Sequence, residues 1–157
     1  MGPPEQITPQ KLGDYLEALS KAAFQAGISW QVIEAKWDGF RAAFAGFDPE
    51  TVAAFTDDDV ERLMGDPGVV RNRRKIEATI HNAQVMLELD REYKGFGRYL
   101  RSQPDYEALV ADLRGRLKFV GDSGAYFFLY VVGEPTPPHE EWMAAHPPRA
   151  ARRPNGA

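Results

Sequence analysis

The stretch FQAGISW, residues 24–30, holds the residues of this chain with the clearest chemical potential. An apolar tip at Ile28, beside the flexible Gly27, could enter a nucleic-acid duplex and fill the space left by an everted nucleotide. The indole of Trp30 offers a face on which such a base can stack. The alternative is that Ile28 and Trp30 pack beneath the turn and complete the core, and seven residues do not decide between the two.

A second group that could do chemistry is a cluster of cations. It consists of Arg71, Arg73, Arg74 and Lys75. The cluster falls at the start of a predicted long helix, where the helix dipole is already positive. A bound phosphate would relieve this conflict, and the alternative is a solvated basic face.

The elements that position these residues are predicted to be helices throughout. Apolar residues recur at helical spacing between capping residues and glycines, with no alternating pattern of the kind that indicates strands. The predicted helices start at Thr8-Pro9, Ser29, Asp48-Pro49, Thr56, Val70, Asp105 and Ser123. The first ends at Gly27, where a left-handed residue fits, and Ser29 is expected to cap the second. Val32, Ile33, Phe40 and Phe44 are expected to face inward. The sequence therefore predicts an all-α domain.

Composition and organisation set further limits. The chain has 157 residues, no cysteine, a net charge of −4 and a pI near 5.4. These values predict one domain without disulfides, located in the cytoplasm and not in a membrane, with any DNA contact confined to a local surface. We expect a flexible N-terminus at 1–7, a helical domain at 8–133 and a disordered Pro/Ala/Arg-rich tail at 134–157. In that tail Arg149, Arg152 and Arg153 could attract anions weakly.

FQAGISW and two later segments together resemble the type I 3-methyladenine DNA glycosylases, a branch of the helix-hairpin-helix DNA glycosylase superfamily. The later segments, at 40–83 and 117–133, follow in the family's order and at about its spacing. The resemblance covers most of the chain between Pro9 and Gly133. It implies a helix-hairpin-helix DNA glycosylase-like bundle.

The resemblance also implies an activity and a partner. The family hydrolyses the N-glycosidic bond of an everted alkylated purine in double-stranded DNA, and no cofactor is expected. Trp30 corresponds to the stacking platform, and Gly27 with Ile28 to the element that enters the gap. Gln25 and Ser29 would support that turn.

Other positions match the family's contacts with the DNA backbone. Lys118, Val120 and Gly121 correspond to the phosphate-binding hairpin. Tyr126 corresponds to an aromatic residue on the helix behind it, and the resemblance implies that Tyr126 belongs to the base pocket. The basic start of the long helix is matched by Arg71 and Arg73, which with Lys75 are expected to contact the DNA backbone.

The departures from the family pattern fall on the chemistry. Ala22 stands where the family has a pocket Glu that reads the methyladenine edge, and its methyl group accepts no hydrogen bond. Glu34, one helical turn beyond Trp30, is the best substitute acceptor, and the alternative is a solvated surface Glu. Glu17 is displaced by more than a turn from Ala22.

Three further differences concern the hairpin, the N-terminus and the metal. Asp122 replaces a neutral hydroxyl residue of the family and would compete with a hairpin phosphate, although it could also be a simple helix cap. The chain starts after the family's N-terminal segment, which carries part of a zinc site. Because there is no Cys and the histidines are scattered, we predict no structural zinc and no other metal. The three histidines are His81, His139 and His146.

Three functional hypotheses follow. The protein is a 3-methyladenine DNA glycosylase with a simplified pocket, or a homologue that binds damaged DNA without excision, or a protein-interaction module on the same fold. The retained wedge, platform and basic cluster favour the first two, whereas Ala22 favours binding without excision over catalysis. The sequence does not specify the oligomeric state.

Overall fold

The computed structural model describes residues 3–147, and this part of the chain folds into nine α-helices without a β-strand. The helices are α1 (Leu12–Gln25), α2 (Trp30–Ala43), α3 (Pro49–Ala53), α4 (Asp57–Met64), α5 (Arg73–Tyr93), α6 (Phe96–Leu100), α7 (Tyr106–Arg116), α8 (Asp122–Val131) and α9 (His139–Ala145). A short 3₁₀ turn, Ala45–Phe47, follows α2. The predicted all-α fold is confirmed. No helix among these residues is long and apolar enough to cross a membrane.

Helix α5 is the scaffold of the domain. It spans 21 residues and packs against α1, α3, α4 and α6, while α1 also packs against α8. Its predicted apolar positions are all buried, as a stripe with a 3.6-residue period requires. These positions are Ile76, Ile80, Ala83 and Met86. The turn between α1 and α2 therefore rests on the same helix that carries the basic cluster.

An aromatic cluster fixes α2 against α1. Phe24 and Phe40 meet edge to face with ring centroids 4.6 Å apart, and the rings of Trp37 and Phe47 stack at 5.3 Å. The buried indole N–H of Trp37 donates to the carboxylate of Glu17 at 2.8 Å, so its polar atom is satisfied. This packing sets the direction in which α2 leaves the turn.

Two local predictions about these helices differ from the structure. Helix α1 begins at Leu12, because the backbone N–H groups of Gln10 and Lys11 donate to the Asp14 carboxylate at 2.8 and 3.3 Å. This cap from inside the first turn replaces the predicted start at Thr8-Pro9. Val32 was expected to face inward, but its side chain is 43% exposed.

Both ends of the domain are more ordered than the sequence indicated. Ile7 N–H donates to the carbonyl of Val131 at 2.8 Å, which ties the segment before α1 to the end of α8. Helix α9 forms where the sequence predicted a disordered tail. Its Trp142 is buried, and its ring stacks on Tyr126 at 4.3 Å. A helix of seven residues gives too few periods for a pattern to be seen. Residues 148–157 of that tail, including Arg149, Arg152 and Arg153, lie outside the described residues.

Backbone contact brings α2 against the loop that leads into α5. A Cβ atom built on Gly39 would lie 2.3 Å from the carbonyl oxygen of Gly68. The Asp66 carboxylate accepts from Gly68 N–H at 2.7 Å, and the Lys36 ammonium donates to the Pro67 carbonyl at 3.1 Å. Only glycine fits at Gly39, and the contact fixes where the basic cluster lies relative to α2.

We predict that Gly39→Ala lowers the free energy of unfolding by about 1–3 kcal/mol, because the new methyl group must displace backbone. Urea denaturation followed by circular dichroism measures the change. Gly115→Ala in α7 is the matched control, since no atom lies within 4 Å of the position that the new methyl group would take. Removing that glycine should stabilise the fold by about 0.5–1 kcal/mol. Equal effects of the two substitutions would contradict the close approach.

Candidate functional site

The turn between α1 and α2 is an exposed corner. Gly27 has φ +78°, so the predicted left-handed residue is confirmed. Ile28 N–H donates to the Gln25 carbonyl at 2.9 Å and closes the turn. The Ile28 side chain is half-buried against the core, and Gln25 is also half-buried. Ser29 occupies the N-cap position of α2, but its hydroxyl makes no capping hydrogen bond.

Trp30 projects from the first turn of α2. Its side chain is 46% exposed, whereas Trp37 and Trp142 are 5% and 6% exposed. The aromatic core described above is complete without it. An indole left in solvent beside an apolar tip is the arrangement that a stacking platform needs, and it differs from the alternative in which Trp30 packs under the turn.

Lys75 holds the turn from below. Its ammonium donates to the carbonyls of Phe24 and Ala26, at 3.1 and 2.6 Å. These carbonyls belong to the end of α1, where backbone acceptors lack helical partners. The side chain is buried, and desolvation lowers the pKa of the ammonium. Lys75 is therefore a structural support of the turn, which replaces its predicted role as a DNA-backbone contact.

The remaining cations of the basic cluster differ in their surroundings. Helix α5 begins at Arg73, not at Val70, because the Asn72 side chain caps it by accepting from Lys75 N–H at 3.1 Å. Arg71 is exposed just before the helix, and Arg73 forms an ion pair with Glu61 of α4. This carboxylate partly offsets the positive potential that the sequence indicated at the helix start.

Glu34 of α2 contacts α1 at Lys21, the residue that precedes Ala22. Glu34 forms an ion pair with Lys21, the residue before Ala22, and the Lys21 ammonium also lies 5.5 Å from the ring centroid of Trp37. The Glu34 carboxylate is therefore engaged by a cation in this conformation. Glu17, which accepts from Trp37 and Arg41, is likewise occupied.

The hairpin between α7 and α8 is fixed by a buried amide. Asn82 of α5 accepts from Lys118 N–H at 2.8 Å and donates to the Lys118 carbonyl at 3.0 Å. Val120 is buried, and Gly121 is the N-cap of α8, with no side chain to satisfy the free N–H groups of the first turn. Sequence reasoning missed Asn82, although a polar residue on the apolar face of α5 was a signal.

The N-terminus of α8 carries its own acid. Asp122 is exposed, and its carboxylate accepts from the Arg114 guanidinium of α7 at 2.7 Å. Arg114 was not singled out from the sequence, because the two residues lie on different helices. The ion pair neutralises the carboxylate and keeps a guanidinium beside the hairpin.

Tyr126 of α8 lies inside the domain, behind the hairpin. Its ring is fully buried against Trp142, and its hydroxyl donates to the Pro137 carbonyl at 2.9 Å. Burial raises the pKa of the hydroxyl. The predicted role of Tyr126 in a base pocket is therefore not open to it here, because α9 fills the space beside the ring.

Two clefts flank the hairpin. The larger, of about 720 Å³, runs between the hairpin and the α1–α2 turn. The smaller, of about 410 Å³, lies between the hairpin and the start of α5. The larger is lined by Ala26, Ala111, Arg114, Gly115, Leu117, Phe119, Val120 and Gly121, and the smaller by Arg74, Glu77, Ala78, Lys118 and Phe119. Neither of these two clefts is lined by Trp30, Glu34 or Tyr126.

Across residues 3–147 no three His, Asp or Glu side chains converge as metal ligands would. The ring Nε2–H of His81 donates to the Arg116 carbonyl at 3.1 Å. His146 lies against the ring of Trp142, and His139 beside Phe127. The three histidines are thus spread over separate surroundings.

Comparison with known proteins places this geometry in context. The sequence family described as methyladenine glycosylase matches residues 9–117. The DNA-3-methyladenine glycosylase 1 of Escherichia coli K12 is 35% identical over 130 residues, which cover 69% of this chain and 70% of that protein. The DNA-3-methyladenine glycosylase of Haemophilus influenzae Rd is 33% identical over 89 residues, covering 57% of this chain and 48% of that protein.

Solved structures agree with the sequence matches. The 3-methyladenine DNA glycosylase I of Staphylococcus aureus superimposes with a TM-score of 0.72 at 25% identity, covering 82% of this chain and 80% of that one. A solution structure of a 3-methyladenine DNA glycosylase I gives a TM-score of 0.68 at 31% identity, covering 84% and 80%.

We predict that Lys75→Met loosens the α1–α2 turn, because the carbonyls of Phe24 and Ala26 lose their donor. Native-state hydrogen exchange of the Ile28 amide should accelerate about tenfold, as expected for the loss of about 1.4 kcal/mol of local stability. Lys36→Met is the matched control, since it also removes a lysine–carbonyl bond but in another loop. Unchanged exchange at Ile28 would contradict the supporting role of Lys75.

Proposed function

Because this chain belongs to the methyladenine glycosylase family, we propose that it is a DNA-3-methyladenine glycosylase of base excision repair. The proposed reaction is hydrolysis of the N-glycosidic bond of an alkylated purine everted from double-stranded DNA, in the cytoplasm. The methylated base is cationic and already a good leaving group. Catalysis therefore depends more on bending the duplex and holding the everted base than on a strong nucleophile.

The observation that carries this proposal is the exposed Trp30 beside the α1–α2 corner. Its indole supplies a π face for a cationic ring, an attraction that exceeds simple stacking. Gly27 and Ile28 form the neighbouring tip that fills the gap in the duplex, with Gln25 and Ser29 as its supports. The hydrogen bonds from Lys75 to the end of α1 stabilise the conformation of this tip when it inserts into DNA.

The hairpin and the basic cluster supply the proposed anchor for the DNA backbone. The N–H groups at the start of α8, after Val120 and Gly121, have no side-chain cap from Gly121 and suit a phosphate. Lys118 and Arg74 line the smaller cleft, and Arg71 lies on the exposed approach to α5. These groups give a local positive surface on a chain whose net charge is −4.

Binding of damaged DNA without excision is the second candidate function. Ala22 offers no acceptor to the edge of a base, and the Glu34 carboxylate is engaged by Lys21. For excision, Glu34 must leave that ion pair or the labile bond must break without an edge-reading acceptor. A site that lacks one polar partner loses a few kcal/mol of discrimination, which a labile cationic base tolerates better than a normal one.

The proposal is tested by release of free base from randomly methylated duplex DNA. We expect the wild type to release 3-methyladenine and Trp30→Ala to lower kcat/KM about 10- to 100-fold, the loss typical of one base–aromatic stack. Val32→Ala is the matched control, since Val32 is 43% exposed on the same helix. Glu34→Gln reports whether that carboxylate contributes.

Other outcomes separate the candidate functions. No release, together with Trp30-dependent binding to a duplex that carries an abasic-site analogue, would replace the glycosylase by a damage-binding protein. Neither release nor binding would leave a protein-interaction module on this fold.

We further predict that Asp122→Ser increases affinity for duplex DNA about three- to tenfold. The substitution removes an anion from the N-terminus of α8 and frees Arg114, so the slope of log K against log salt should steepen by about one phosphate contact. Fluorescence anisotropy at several salt concentrations measures both quantities. Asp38→Ser changes the net charge equally at an exposed site on α2, and an equal gain from it would mean that only net charge matters.

A further inference from the structure

Phe119 is the residue of the hairpin that the site described so far does not use. It has a left-handed backbone, with φ +58°, and its side chain is 41% exposed. A bulky aromatic residue is an outlier in this conformation, which glycine and asparagine adopt with less strain. A residue whose backbone is strained and whose aromatic ring is exposed to solvent contributes little to the free energy of folding. Its presence points to a contact outside the chain.

Contacts on both sides of Phe119 hold the hairpin in this conformation. The buried Asn82 clamps Lys118 through both its N–H and its carbonyl, immediately before Phe119. On the other side, Val120 is buried and anchors the chain as it enters α8. The backbone at Phe119 is therefore held in place by its neighbours on both sides.

The ring stands on the ridge between the two clefts, because Phe119 lines both. The larger cleft carries Arg114 on its wall, and the smaller carries Arg74 and Lys118 together with Glu77. A nucleic-acid strand alternates in the same way, with apolar sugar and base surfaces between anionic phosphates. On one side of this ridge lies Arg114, which is paired with Asp122, and on the other lie Arg74 and Lys118. An aromatic ridge between cations on both sides matches one strand laid across the hairpin.

We propose that the Phe119 ring packs against the sugar and base surface of one DNA strand, and so forms a second aromatic contact besides Trp30. This inference rests on the proposed function, since it deepens the contact with DNA. The ring lies next to the larger cleft, which is bounded on its far side by Ala26 of the α1–α2 turn. Phe119 therefore contacts the duplex at the hairpin while Ile28 and Trp30 act at the everted nucleotide.

The test is equilibrium binding of the full chain to a duplex that carries an abasic-site analogue, followed by fluorescence anisotropy over a range of salt concentrations. Phe119→Asn keeps a residue that tolerates the left-handed backbone but removes the ring, and it should raise Kd about tenfold. Phe119→Tyr keeps the ring and should bind as the wild type does. The salt slope should be the same in all three proteins, because no cation is removed.

The salt slope separates a DNA contact from a structural role. If the ring merely held the hairpin in shape, Phe119→Asn would also displace Lys118 and the N–H groups of α8, and the slope would become shallower. Ile7→Asn is the matched control, since Ile7 is 40% exposed and bonded to the opposite end of α8, about 15 Å away for a ten-residue helix. It should leave Kd unchanged.

Two results would overturn the inference in distinguishable ways. Wild-type affinity in Phe119→Asn, or a loss of affinity that comes with a shallower salt slope, would remove Phe119 as a contact and leave the proposed function intact. Failure of the wild type to bind any duplex would remove the proposed function, and the inference with it.

Discussion

The hydrogen bonds from the Lys75 ammonium to the end of α1 are the interaction on which the exposed corner depends. A helix end leaves carbonyls without partners, and a corner that must stay open to an external ligand cannot bury them under its own side chains. Lys75 of α5 donates hydrogen bonds to these carbonyls from the core side of the corner. The same helix clamps the α7–α8 hairpin through Asn82, so two loops distant in sequence share one support.

Carboxylates accompany the cations on the face that bears the hairpin and the turn. Arg73 pairs with Glu61, and Arg114 with Asp122. A phosphate that binds here must displace or rearrange these partners. Such a surface attracts a polyanion weakly in general and holds it well only where the backbone geometry also fits. The acidic balance of the chain is thus compatible with DNA contact at one local site.

The proposed recognition surface does not include Tyr126, because that ring is buried inside the domain. Trp142 of α9 stacks on that ring, and Ala22 contributes no polar group to the α1–α2 pair. An open face with Trp30 as its aromatic surface cannot read the edge of a base through many hydrogen bonds. Under the proposed function, such a face suits a substrate whose own charge and labile bond supply the selectivity, as those of a cationic methylated purine do.

The sequence by itself determined seven of the nine helices of residues 3–147 and the corner at Gly27, because capping residues, glycines and apolar periods act within a few residues of one another. The family followed from the resemblance of its motifs. The sequence assigned Lys75 to DNA because Lys75 belongs to the basic cluster, and the family resemblance assigned Tyr126 to a pocket. The tertiary structure decided otherwise, since the partner of a buried polar or aromatic group is supplied by a distant segment. Asn82 beneath the hairpin and Trp142 against Tyr126 are such partners, and no local pattern encodes which segment will meet which.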